Sequence, residues 1–230
     1  MASQTEVVFV HGWGFDRAHW DAWTSLLDPR LSRSFYDRGY FGSPNHLNQT
    51  EPRDSSRIVV AHSLGAHFLR NDMLAGADLL VLISCFAQFH AGSLDATASK
   101  TITQAMRRKL SRSPSTVLSD FYDRNGVPSV FLADTSQLDI DLLLKDLDLL
   151  DEHTLDLDAL AKIPQKLVLH GAYDQINPLY NSHLLCQTLP GAVLAVHPTG
   201  PHALPIKHPA WCIDRINEFA QIRSTIGARA

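Results

Sequence analysis

One pattern constrains this chain more than any other: short, unbroken apolar runs separated by segments of helical spacing. Val7-Val8-Phe9-Val10, Arg57-Ile58-Val59-Val60-Ala61, Leu79-Leu80-Val81-Leu82-Ile83, Lys166-Leu167-Val168-Leu169 and Ala192-Val193-Leu194-Ala195-Val196 have strand length and mostly branched or aromatic side chains. A strand buried on both faces has no polar side to alternate with, and such strands belong to parallel sheets. Helical patterns fall between the runs. The chain is therefore expected to be α/β, with a mostly parallel central sheet and helices on both faces.

The first run stops at His11-Gly12-Trp13-Gly14, and Asp16 is placed to cap a helix carrying Trp20, Trp23, Leu26 and Leu27. Ser34-Phe35-Tyr36-Asp37 reads as a second strand, and residues 43 to 56 as loop. After the strand ending at Ala61, a helical pattern runs from Ser63 through Leu64, Phe68, Leu69 and Met73. The rhythm then changes from about Ala87 to Leu160. Ile102, Ala105, Met106 and Leu110 make a helical stripe, Ser113-Pro114 is a good start for a further helix, and Leu138 to Leu150 sets Leu and Asp at helical spacing. This predicts a helical cap over residues 87–159, inserted into a core formed by 1–86 and 160–230.

At 230 residues, 45% of them hydrophobic, the chain can bury a substantial core in one domain with such an insertion. A net charge of -4 argues against a general nucleic-acid binder. Cys85, Cys186 and Cys212 are sparse, odd in number and far apart, which fits a reducing compartment. No stretch approaches the ~18 apolar residues of a membrane span, and the polar start, Met1 to Glu6, lacks a signal-peptide layout. The expected location is the cytoplasm.

Chemistry gathers where strands end. A serine hydroxyl becomes a nucleophile only beside a base that a third group orients, with N–H donors ready for the oxyanion. Ser63 lies between a strand and a helical pattern in Ala61-His62-Ser63-Leu64-Gly65, where small flanking residues permit a tight turn. Asp174 follows the strand of Leu167 to Leu169, and His202 follows the strand ending at Val196. Nucleophile, acid and histidine thus come in the order Ser…Asp…His, each at the carboxyl end of a strand, the functional edge of an open α/β sheet. The Trp13 and Leu64 amides are candidate oxyanion donors, and the Trp13 side chain a candidate for the acyl pocket.

Taken with His11-Gly12-Trp13-Gly14-Phe15, Trp20, His170-Gly171-Ala172-Tyr173-Asp174 and Gly200-Pro201-His202-Ala203, the chain resembles the α/β-hydrolase carboxylesterases. Within them it is most similar to the pimeloyl-acyl-carrier-protein methyl esterases of biotin synthesis. The resemblance covers residues 5–86 and 160–222 and fades in the insertion. It implies the α/β-hydrolase fold, a helical cap over the site, no cofactor, a triad of Ser63, Asp174 and His202, and oxyanion donors at Trp13 and Leu64. It also implies a short dicarboxylic methyl ester, carried on acyl-carrier protein, as substrate. Two departures stand out: Ala61 replaces the usual elbow glycine, and the span from Gly42 to Arg57 is short for a helix, suggesting a trimmed core.

The other histidines have plainer readings. His11 is expected to brace the oxyanion turn, His62 to be structural, and His183, His197 and His208 to be surface or helix-flank residues. No histidine pair has zinc-ligand spacing, so no metal is expected. Cys85 is expected to be buried and inert, and Phe86 and Phe89 to be packing residues. Lys100, Arg107, Arg108, Lys109 and Arg112 form a run without an acid between them, whereas Asp134 to Asp158 is strongly acidic. Either these are solvated helix faces that pair with each other, or Arg107, Arg108, Lys109 and Arg112 dock an acidic acyl-carrier protein. Within enzymes a thioesterase, an amidase or a C–C hydrolase would use the same residues. A non-catalytic binding protein of the same fold is the alternative of another class.

Overall fold

The computed structural model describes residues 5–47, 56–127 and 137–227. Six strands form one sheet: β1 (Glu6–Val10), β2 (Ser32–Tyr36), β3 (Arg57–His62), β4 (Ala77–Ile83), β5 (Gln165–Gly171) and β6 (Ala192–His197). Their order is β2-β1-β3-β4-β5-β6, and every neighbouring pair is parallel. All the expected strands are present, so the sheet is wholly rather than mostly parallel among the described residues. The half-polar run at β2 is explained by its place, since it forms one edge of the sheet and most of it is only partly buried.

The chain leaves β1 for β2 on one side and then crosses to β3 on the other. That reversal opens a crevice at the carboxyl ends of β1 and β3, where open α/β sheets bind ligands. Strand alternation splits the core in two. Val8, Val10, Val59, Ala61, Leu80 and Leu82 face one side, and Val7, Phe9, Val60, Leu79, Val81 and Ile83 the other. The second face is covered by Trp20, by Trp23 of α1 (Asp21–Thr24) and by Cys212, Ile213 and Ile216 of α9 (Pro209–Gly227). Phe9 is fully buried there between Trp20 and Trp23, with ring centroids at 5.0 and 5.7 Å. Burial of such a side chain contributes about 1.5–3 kcal/mol.

The first face packs on α2 (Asn71–Leu74), on α7 (Leu179–Thr188) and on the segment joining β4 to β5. That segment carries a 3-10 turn (Phe89–Gly92), α3 (Ala96–Leu110), α4 (Pro114–Asn125), α5 (Ile140–Glu152) and α6 (Leu157–Ala161). Much of its acidity is local structure. Asp95, Asp139 and Asp156 each accept an amide hydrogen bond at a helix N-terminus, which removes one of the orphan donors there. Asp146 is buried and accepts hydrogen bonds from the Arg38 guanidinium and the Tyr40 hydroxyl, each at 2.7 Å. Ser113 does precede α4 with Pro114 at its start, but its side chain makes no capping bond.

Two helices are shorter than their sequence patterns suggest. After Ser63 the chain makes a 3-10 helix, Ser63–Phe68, turns extended at Leu69, and only then forms α2. The stretch before α1 is likewise a 3-10 turn, Arg17–Trp20, with the expected Asp16 cap in place. Most of the span between Gly42 and Arg57, and Asp134, lie outside the described residues.

Candidate active site

Ser63 sits at the sharp turn leaving β3, with φ of +54°. A side-chain-bearing residue held in that region stores roughly 1–3 kcal/mol. Close packing holds it there. A Cβ on Gly65 would lie 2.6 Å from the carbonyl oxygens of both Val10 and His11, so only glycine lets the turn press against the end of β1. From the other side Gly12 abuts the turn, since a Cβ there would come within 2.9 Å of the His62 carbonyl and 3.0 Å of the Ser63 Cβ. The Trp13 backbone therefore runs beside Ser63 and Leu64. Ala61 is fully buried beneath them, and its extra methyl is accommodated.

The loops after β5 and β6 bring the other two residues. His202 Nε2 lies 2.9 Å from Ser63 Oγ, and His202 Nδ1 lies 2.7 Å from Asp174 Oδ2. The other Asp174 oxygen accepts the Ile176 and Asn177 amides at 2.8 Å each. Burial pushes the Asp174 carboxyl up, but the charge and hydrogen bond of His202, then His170 and the Asn177 amide, outweigh it and hold the group below the usual carboxylate range. Asn177 ties this turn to the end of β4 by donating to the Ser84 and Cys85 carbonyls at 3.0 and 3.2 Å.

His202 is also held from behind. Its carbonyl oxygen accepts from Ser84 Oγ at 3.0 Å and lies 3.1 Å from His62 Nε2. The His62 ring stacks on His19 at 4.6 Å. Burial, then the neighbouring imidazole charges, keep both rings well below the usual histidine range. His62 is thus structural, as expected, but it acts on the histidine of the site. His11 braces the first turn: its Nδ1 lies 2.8 Å from the Gly12 carbonyl, and its Nε2 accepts the Arg38 amide at 3.0 Å. The supporting contacts of Ser84 and Asn177 went unread in the sequence. Asn177 carried one signal, its position three residues after an Asp, the spacing of a side-chain-closed turn.

Ser63 opens onto a cavity of about 400 Å³, walled by Trp13, Phe89, Met106, Phe121, Leu147 and Ile176. The Trp13 ring lines it, fixed by a hydrogen bond from its indole N–H to the Leu143 carbonyl at 2.9 Å. Phe86 is a packing residue, but Phe89 is a wall of the cavity and not core alone. Cys85 is fully buried, its thiol pushed up by burial, and it points at the Ala61 and Ile83 carbonyls.

The basic run is not a uniform surface. Arg107 pairs with Asp148 at 2.8 Å and Lys109 with Asp120 at 2.6 Å, whereas Arg108 and Arg112 are exposed. Among the described residues, no group of three or more His, Cys, Asp or Glu could hold a metal ion, and no helix is long and apolar enough to cross a membrane.

A sequence model described as the Alpha/beta hydrolase family matches residues 7–215. The chain belongs to this family. The parallel sheet with its surrounding helices is therefore the α/β-hydrolase fold expected from the sequence. No curated protein matches the chain. Among solved structures it is similar to an esterase from Exiguobacterium antarcticum (TM-score 0.73, 15% identity, covering 96% of this chain and 93% of that one). It is also similar to a malate-bound esterase from Thermogutta terrifontis (TM-score 0.69, 17% identity, 95% and 90% covered). A third is MenH from S. aureus (TM-score 0.71, 13% identity, 97% and 96% covered). At these identities the likeness speaks for the fold.

Proposed function

We propose that this family member is a serine carboxylesterase working through an acyl-enzyme. The observation that carries the reading is the row Ser63 Oγ, His202 Nε2, His202 Nδ1, Asp174 Oδ2, closed by contacts of 2.9 and 2.7 Å and opening on a mostly apolar cavity with a charged end at Lys109, Asp120 and Arg124. His202 takes the Ser63 proton as the hydroxyl oxygen attacks the ester carbonyl. The Trp13 and Leu64 amides bind the oxyanion, a contribution of about 10²–10³ in rate per donor. His202 then protonates the departing alcohol, and water, activated by the same imidazole, frees the acid. Asp174 fixes the tautomer and stabilises the imidazolium without taking the proton. Ser63→Ala should end both p-nitrophenyl ester turnover and labelling by a fluorophosphonate, with the thermal unfolding curve retained. Either activity persisting in that variant overturns the mechanism.

The natural substrate proposed is a short dicarboxylic methyl ester on acyl-carrier protein, in biotin synthesis and in the cytoplasm. The sequence resemblance supports it, as do the exposed Arg108 and Arg112. The ion pairs of Arg107 and Lys109 narrow the docking face to those two residues and their neighbours. Arg108→Glu with Arg112→Glu should slow turnover of a carrier-bound ester at low salt and spare a free one. Equal turnover of both esters removes the carrier from the proposal.

A further inference from the structure

The cavity holds a second serine, and it too stands in line with an imidazole and a carboxylate. Ser99 lies in the first turn of α3, one helical turn before Ile102 and Thr103, and these three residues line the cavity with Met106. Ser99 Oγ is 2.8 Å from His90 Nδ1, and His90 Nε2 is 3.0 Å from Asp151 Oδ1. The same oxygen of Asp151 accepts the Thr103 hydroxyl at 2.6 Å. The His90 ring is buried and packs edge-on against Phe89 at 5.2 Å, so its orientation is fixed. This row ties the turn after β4, α3 and α5 together and contacts none of Ser63, His202 or Asp174.

Ser99 is not equipped to attack an ester. It sits in a regular helix, its own amide donates to the Asp95 carbonyl at 3.0 Å, and the Ala98 amide is taken by the Asp95 side chain at 2.9 Å. With those amides committed, neither the Ser99 amide nor the one before it is left for an oxyanion. What the row does is orient a hydroxyl. A carboxylate only accepts, so His90 places a proton on Nε2 for Asp151, and Nδ1 then accepts the Ser99 proton. The Ser99 oxygen is left with its lone pairs free, beside the apolar walls of Ile102 and Met106.

We infer that Ser99 is a substrate subsite, held by His90 and Asp151, that hydrogen-bonds a hydroxyl group on the chain of the ester. The inference rests on the serine-esterase reading alone and not on the carrier-bound dicarboxylic ester, whose acyl chain has no hydroxyl; in its place it names hydroxylated esters as the substrate class. A neutral hydroxyl fits better than an ammonium, because a serine oxygen among apolar side chains cannot offset the desolvation of a full charge. A carboxylate would bring only lone pairs to an oxygen that already offers lone pairs. Ser99 also stands ten residues before Lys109, about 15 Å along the helix, so it is separate from the charged Lys109–Asp120 end.

The test compares kcat/KM for p-nitrophenyl esters of one chain length, unsubstituted or hydroxylated at successive carbons. The wild type should prefer one hydroxylated isomer by about fivefold, the worth of one net hydrogen bond. Ser99→Ala should bring that ratio to about one, and Ser99→Thr, which keeps a hydroxyl, should restore it. Because the readout is a ratio within each enzyme, general loss of activity cancels. A wild type without preference, or a preference that survives in Ser99→Ala, overturns the subsite and leaves the esterase reading standing. No turnover of any ester overturns both.

Discussion

The two rows of serine, histidine and aspartate are built in opposite ways. Ser63, His202 and Asp174 come from three loops at the sheet edge, with 139 and 28 residues between the bonded partners. Ser99, His90 and Asp151 belong to the segment between β4 and β5, and their links span 9 and 61 residues. The first row stands on strained ground. Ser63 has a positive φ, and behind it both ring nitrogens of His19 and Nδ1 of His62 are buried without a partner among the described residues. Each such atom costs about 1–3 kcal/mol. In the second row each side chain has a hydrogen-bond partner and the helix is regular. On the proposed mechanism, then, alignment of the three groups does not by itself make a serine nucleophilic. The difference lies in the turn that lifts the hydroxyl away from its own helix and sets it beside uncommitted amides.

The comparison can be broken at several strengths. Ser63→Ala should lower kcat by at least about 10⁴-fold, measured with a p-nitrophenyl ester, whereas Ser99→Ala should shift a substrate ratio only about fivefold. Equal effects would mean that the rows are equivalent. Asp174→Asn should also cost about 10⁴-fold in kcat with KM little changed, because the imidazole loses its tautomer partner. A loss confined to KM would contradict that role.

Stability should divide the two regions as activity does. Gly65→Ala forces a methyl against two backbone carbonyls and should cost about 1–3 kcal/mol in urea unfolding. Wild-type stability in that variant would show the elbow to be looser than its contacts imply.

Acid should act on the elbow through His67. Burial, then the charge of His153, lower this imidazole to about 4. Between the ordinary value near 6.5 and about 4, the unfolded chain takes a proton that the folded chain refuses. Stability therefore falls as pH drops through that window and levels off below it, by up to about 3 kcal/mol for this residue. His67→Gln should flatten part of the slope in urea midpoints taken at pH 7, 5.5 and 4, and an unchanged slope would assign the acid response to other groups.

The first row was legible in the sequence because each member follows a run of apolar residues that only a buried strand explains. Ser63, Asp174 and His202 could be placed at one sheet edge without knowing a single contact. The second row carries no such marker. His90 follows an irregular turn, Ser99 sits in a polar helix start, and Asp151 is one of many acids, so only packing between helices brings them together. The pattern through Leu64, Phe68 and Met73 suggested one helix, since spacing does not separate a 3-10 turn and a short helix from a continuous one. The sequence left the basic run open between pairing and docking, because the acids that pair with it lie on other helices, Asp120 on α4 and Asp148 on α5.

Asp146 has a consequence for traffic through the site. Its carboxylate, 1% exposed, is clamped by Arg38 and Tyr40 from the core, while Trp13 holds the Leu143 carbonyl of α5 and Tyr122 of α4 holds the Gly14 carbonyl. Parting helix from core would break the hydrogen bonds of that carboxylate, each worth about 1.5–3 kcal/mol. The helices over Ser63 are thus moored to the core at Tyr122, Leu143 and Asp146, so whatever reaches that serine passes walls whose spacing the core itself sets.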